Sequence, residues 1–266
     1  MNLVSPRPAA RPSHISEVEW RTRVDLAAFY RLVHHHGMSM LVYNHITARV
    51  PGPEHHILIN EYGLSYEEVT PSNLVKIDVD GKVVDDAQGR GEHEVNHAGY
   101  IIHSCIHRAR PDVSCVAHTH TRAGVAVSCL KDGLVPMNQE GLQFYNRIAY
   151  HDYEGIAVYE DEQKRLVANL GEKDVMILRN HGLIATGRTI SEAFRRLYYL
   201  ELACRLQIDV MSAAQPWSPP PPEVCEHTAK QWDEGVASIG TGKDAQTREW
   251  PALLRMLDRK DPGWRQ

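Results

Sequence analysis

Three histidines in this chain have the chemistry and the placement to hold a metal ion: His118, His120 and His181. His118 and His120 close the segment VSCVAHTH (113–120), which reads as a strand. Side chains two residues apart in a strand share one face, about 7 Å apart along it, so a rigid support presents both imidazoles to one ion. Alone, a His-x-His pair in a strand serves equally well on a polar surface face. His181 adds a third imidazole, because Asn180-His181-Gly182 follows the apolar run VMIL (175–178), the end of a buried strand. The competing reading of His181 is a loop residue with no ligand role. Three neutral imidazoles that leave positions open for water or substrate are the arrangement of catalytic zinc and related divalent ions. Sixteen histidines in 266 residues point the same way, toward metals and proton transfer.

The elements that must position these residues can be read in order. Residues 17–36 place Val24, Ala27, Ala28 and Leu32 at helical spacing, with Gly37 as the stop. HITARV (45–50) alternates, and Pro51-Gly52-Pro53 turns it into HHILIN, an antiparallel hairpin. LVKIDV, Asp80-Gly81 and KVV form a second hairpin. Residues 96–109 carry Ala98, Ile101, Ile102, Cys105 and Ile106 on one stripe, and Pro111 bars extension. EDEQKRLVANLG is a short helix closing on Gly171. Thr189-x-x-Glu192 is a capping box that opens a long helix to about Met211. Hairpins mixed with strand–helix units predict one α/β domain with a mixed sheet. That domain spans 17–215, after a disordered tail at 1–16. In 216–266, prolines 219–222 form a stiff spacer. The polar arm beyond is expected on the surface or on a neighbouring subunit, because Trp217, Trp232, Trp250 and Trp264 need cover.

Composition narrows the partners. Hydrophobic residues are 42% and charged residues 24%, ordinary globular usage. A net charge of -5 argues against nucleic acid and anionic membranes as partners. No apolar run approaches the roughly 20 residues of a membrane span, and MNLVSPRPAARPSH has no apolar core of a secretory signal. Five cysteines, an odd number lying in apolar patterns, read as reduced thiols of a cytoplasmic protein. They form no CxxC pair, which leaves nucleophilic catalysis unsupported. No Walker loop or G-x-G-x-x-G follows a strand, so no nucleotide cofactor is expected.

Longer stretches carry a resemblance. NHAGYIIHSCIHRARPDVSCVAHTHTRAGVAVSCLKDGLVPM, IAYHDYEGI and DVMILRNHGLIATGRTISEAFRRLYYLE resemble the class II aldolase/adducin family, as do YNHITARVPG, ILINEYGLSYEEV and NLVKID earlier in the chain. The resemblance covers about 17–215. It implies a three-layer α/β/α sandwich with a mixed, largely antiparallel central sheet, and a homotetramer with the active site at a subunit boundary. The family's metal histidines match His118, His120 and His181 one by one. The implied cofactor is one divalent ion, zinc first, with iron, manganese or cobalt used by some members.

The departures from the family are informative. The carboxylate that lies four residues before a histidine matching His103 is here Gly99. The small hydroxyl pair that helps bind phosphate becomes His97 and Ala98, and the threonine of the Thr-Gly phosphate loop becomes Tyr62 beside Gly63. A phosphate-free substrate follows, and the pattern sits closer to adducin heads and similar bacterial proteins than to sugar-phosphate aldolases. His103 is a candidate acid/base or fourth ligand in place of the lost carboxylate; otherwise it anchors its helix to the metal strand. Asn44 matches a substrate-contacting residue, with a turn asparagine as the alternative. Tyr62 and Gly63 are the remaining candidates for substrate contact. Tyr150, His151, Asp152 and Tyr153 either supply the pocket or form a hydrogen-bonded corner. The leading expectation is a metal-dependent lyase, by retro-aldol cleavage or decarboxylation of a small hydroxy or oxo carbonyl compound. Its rivals are a non-heme iron oxygenase acting on a 2-oxo acid and a non-catalytic, adducin-like interaction module.

Overall fold

The computed structural model describes residues 10–86, 95, 97–155, 160–234 and 248–266. Helix α1 (Glu17–His35) opens on Ser16, whose side chain accepts from the Glu19 backbone N–H. Strands β1 (His45–Arg49), β2 (Ile57–Asn60), β3 (Leu74–Ile77) and β4 (Val83–Asp86) follow, then α2 (His97–Ala109) and β5 (Cys115–Thr119). Next come α3 (Arg122–Ser128), α4 (Gln139–Leu142), β6 (Ile148–His151), α5 (Glu160–Leu170), β7 (Val175–Leu178) and β8 (Gly182–Gly187). Helices α6 (Ile190–Ser212), α7 (Pro222–Asp233) and α8 (Trp250–Lys260) complete the order.

One sheet of eight strands runs β4-β3-β2-β1-β5-β8-β7-β6. Every pairing is antiparallel except β6 with β7. The two-residue repeat of the strands sends alternate side chains to opposite layers. Cys115, Ala117, Ile177, Leu183 and Ala185 join a core built with α1 and α6. Val116, Met176 and Ile184 join another with Ile102, Ile106, Leu166 and Leu170 from α2 and α5. The result is the expected α/β/α sandwich with a mixed, largely antiparallel sheet. Thr189 caps α6 through the Glu192 N–H, as the capping box requires, and Glu192 answers at the Arg188 N–H.

Three expectations need adjustment. Order begins before residue 17, since Ile15 is buried and Ser16 is a cap; the rest of the supposed tail, 1–9, lies outside the described residues. The side chains of His97 and Ala98, for which the sequence expects an altered phosphate pocket, also lie outside the described residues, although the backbone of 97–99 belongs to α2. The arm after the proline run does not wait for a neighbouring subunit. Trp264 is fully buried and Trp250 nearly so, both within the core of α1 and α6. Trp250 donates to Asp25, Trp264 donates to Asp258, and Asp261 pairs with Arg31 at 2.5 Å. Apolar area that the sequence left without a partner is thus covered by the chain itself; Trp217 stays 37% exposed.

Two predictions follow from this packing. Trp264→Ala opens a cavity in the core and should cost about 3–5 kcal/mol, read as a lower urea midpoint. Acid should also weaken the fold. Burial pushes His107 down to about 3 and, with neighbouring positive charge, His36 down to about 4. Between those values and the ordinary 6.5 the unfolded chain binds more protons than the folded one. The stability these neutral rings confer is complete above pH 6.5 and is lost progressively as pH falls below it. A denaturant midpoint that is flat from pH 7 to 4.5 would contradict this.

Candidate metal centre

β5 ends where β1 begins: His118 lies directly opposite His45 on one side and Ile184 on the other. The chain leaves β5 at Thr119, so His120 sits in the turn before α3 and can swing toward His118. Leaving β7, Asn180 adopts a left-handed conformation (φ 54°) that turns His181 back toward the same point. The three rings face one another with centroids 4.6–4.8 Å apart and planes inclined by 59–79°. One ligand nitrogen from each lies within 4.8 Å of the others.

The protonation pattern suits a cation. The Leu183 carbonyl can only accept, so His118 Nδ1–H donates to it at 2.9 Å and the lone pair sits on Nε2. That Nε2 is 2.7 Å from His120 Nε2. Two lone pairs repel at this distance: a proton on His120 Nε2 satisfies the contact, and an ion bound by both nitrogens would hold them further apart. Burial first, then the neighbouring imidazoles, holds His118 well below the ordinary histidine value. Burial lowers His120, and burial followed by His120 and His151 brings His181 to about 4. All three rings are therefore neutral at pH 7, the form that binds metal. The donor set fits a divalent ion with open positions, and His118, His120 and His181 could hold one.

Surrounding groups fix these ligands through the backbone. Asn44, buried and left-handed (φ 71°), accepts the His120 N–H on Oδ1 at 3.3 Å. Ser128 takes the His181 N–H on its hydroxyl and the Asn180 N–H on its carbonyl. Thr121 caps α3 and donates its hydroxyl to the buried Glu201 carboxylate, which also accepts from Arg205 at 2.6 Å. Gly182 lets β8 approach: a Cβ there would sit 2.4 Å from the Thr119 carbonyl and 3.0 Å from the His120 ring.

The other expected residues separate by position. His103 is fully buried, and Thr47 Oγ1 bridges its Nδ1 (2.8 Å) and His107 Nε2 (2.9 Å), which ties α2 to β1. Tyr62 and Gly63 occupy the turn after β2, at the same end of the sheet as the triad but beyond β1. Neither is hydrogen-bonded to the triad among the described residues. Two residues were not singled out from sequence. His45 reads there as the polar face of a hairpin strand, yet that face is covered by α2; its Nδ1–H donates to Asn60 Oδ1 at 3.1 Å. Glu162 reads as the solvent side of an amphipathic helix, yet it is only 7% exposed. Helix packing, absent from a one-dimensional pattern, decides both.

Comparison with known proteins agrees with this architecture. A Pseudomonas aeruginosa protein provisionally named an aldolase class 2 protein is 44% identical over 266 residues, the whole of both chains. Rat alpha-adducin is 44% identical over 243 residues, 89% of this chain but only 33% of adducin. The crystal structure of an aldolase II superfamily protein from Pseudomonas syringae superposes with a TM-score of 0.87 at 46% identity, covering 95% of this chain and 98% of the other. Residues 24–208 match the family described as Class II Aldolase and Adducin N-terminal domain, and the chain belongs to that family.

Proposed function

We propose that this protein is a divalent-metal-dependent lyase that breaks or forms a carbon–carbon bond beside a carbonyl, in a small hydroxy or oxo compound without phosphate. The observation that carries this reading is the convergence of three neutral imidazoles on one point at the end of the sheet. A divalent ion held there, zinc first, supplies Lewis acidity to the substrate's oxygens. The chain's own groups do the rest. His118 is locked in one tautomer by Leu183, His120 is held by Asn44, and His181 is held by Ser128, so the donors are preorganised before a substrate arrives. Tyr62, 36% exposed, puts a phenol where the family places a compact hydroxyl for phosphate. With a negative net charge, it argues against a phosphorylated substrate.

A second reading keeps the ion and dispenses with catalysis. Gly99 in place of the family's carboxylate and the identity to alpha-adducin favour an interaction module of the adducin kind. An open triad favours the enzyme, because a purely structural ion is normally enclosed by four protein ligands. The assembly implied by the family resemblance, a homotetramer, belongs to the same proposal. Among the described residues no helix is long and apolar enough to cross a membrane, in keeping with a small-molecule substrate in water.

Removing one ligand should leave a pair that cannot complete the site. Elemental analysis of His120→Ala after dialysis against a weak chelator should show metal affinity lower by orders of magnitude, and stoichiometric metal in that variant would end the triad assignment. Ligand stabilisation separates the substrate classes. Phosphate and dihydroxyacetone phosphate should leave the Tm of the metal-loaded protein unchanged, whereas chelating 2-oxo acids or hydroxyketones should raise it with concentration. The opposite ranking would overturn the phosphate-free assignment.

A further inference from the structure

A lyase of this kind needs a base to take a proton next to the carbonyl, and the position that carries it in sugar-phosphate relatives is Gly99. Beside His181 lies a small cavity with about 10 Å³ of free volume, enough for one water. Its walls include His181, Ile102 and Leu178, and two groups in it are polar and buried: His151 and Glu162. His151, the last residue of β6, is 4% exposed; Glu162, in the first turn of α5, is 7% exposed. Their facing atoms, His151 Nε2 and Glu162 Oε1, are 3.8 Å apart. That is within ion-pair range and longer than a direct hydrogen bond.

The protonation of His151 follows from its other nitrogen. Asn169 Nδ2 lies 2.9 Å from His151 Nδ1 and can only donate, so Nδ1 accepts and the ring's hydrogen is on Nε2. That Nε2 is buried and, among the described residues, has no hydrogen-bond partner. A buried N–H without a partner, just beyond hydrogen-bonding distance of a buried carboxylate, is costly unless the pair closes or a group entering the cavity completes it. The remaining charges around the cavity leave Glu162 available. Glu154 is engaged by Arg165, Arg179 lies over the Tyr150 ring and donates to the Leu130 carbonyl, and Asp152 is exposed at the rim. Ile102 stands three residues beyond Gly99 on α2, so the carboxylate enters this region from α5 instead of from α2.

We infer that Glu162, oriented by His151, is the acid/base of the metal centre and takes over the role left open at Gly99. The inference rests on the lyase reading above. In the step it serves, the C–H bond beside the substrate carbonyl breaks, the proton passes to a Glu162 oxygen directly or through the cavity water, and the electron pair enters the carbonyl to give an enolate. Reversal returns a proton to the same carbon. In D₂O the returned atom is deuterium, so the half-reaction is visible without knowledge of the natural substrate. His151 is a positioning residue: its Nε2–H holds the carboxylate or its water on the side of His181.

The test uses the full-length, metal-loaded protein with hydroxyacetone, dihydroxyacetone and pyruvate as probes, followed by proton NMR in D₂O. The wild type should exchange the hydrogens beside the carbonyl of at least one probe. Glu162→Gln, nearly isosteric, should slow that exchange at least about 100-fold. Glu162→Asp should recover part of the loss, and His151→Gln should fall between. The second readout is binding of acetohydroxamate, a neutral chelator shaped like the enolate, measured by thermal shift. Glu162→Gln should keep the wild-type shift and the wild-type metal content, because removing a base leaves the binding site in place. Exchange in Glu162→Gln at the wild-type rate overturns the inference. So does parallel loss of exchange, hydroxamate binding and metal, which marks Glu162 as structural, and so does a metal-loaded wild type that exchanges none of the probes. A wild type that binds no metal fails at the earlier step and refutes the lyase reading itself.

Discussion

The site depends on how closely β8 lies against the end of β5. His118 can donate to the Leu183 carbonyl only if the two strands stay paired up to Thr119 and Leu183, and the next step of β8 is Gly182. Any side chain there would strike the Thr119 carbonyl and crowd the His120 ring. One absent Cβ thus permits the strand contact, the tautomer of His118 and the place of His120 together. Ordinary antiparallel geometry does the rest, carrying the same register across β1 so that His45 stands beside His118.

This arrangement explains why so much was legible in the sequence and where legibility stopped. Hairpins, the capping box and the apolar strands are local patterns, and they formed where local physics places them: β1 with β2, β3 with β4, Thr189 on α6. The triad was legible as residue types, with two imidazoles on one strand face and a third after an apolar strand. Its compactness was not. Strand spacing alone sets His118 and His120 about 7 Å apart. The observed 2.7 Å between ring nitrogens comes from His120 lying past the strand's end. Strands β6 and β8 and helices α7 and α8 escaped the sequence reading for a related reason. IAYH and GLIATG are short or glycine-bounded, and the tail's apolar residues are too sparse to signal a core until α1 and α6 supply its other half.

Burial separates the polar residues into two kinds. Thr47 links one ring nitrogen each of His103 and His107 between α2 and β1, and Arg23 with Glu19 and Lys76 forms an ion cluster under α1. Such groups are costly to bury, and each contact offsets part of that cost. The residues around His181 are different. Three ring nitrogens converge there, and the His151 Nε2–H stands without a partner among the described residues. An incomplete polar group beside a cavity and a cluster of ring nitrogens is a candidate place for something else to bind.

The position of the ligands relative to the two cores has an evolutionary consequence. His120 and His181 sit in turns beyond the strand ends, and the side chains that bury the sheet are Val116, Ala117, Ile177, Ile184 and their neighbours. Replacing the turn residues leaves the sandwich intact, since they contribute little to its hydrophobic interior. A descendant of this chain could therefore lose the histidine triad and keep its shape. Chemistry and scaffold are separable in this architecture, in a family whose members include both proteins named aldolases and the adducins.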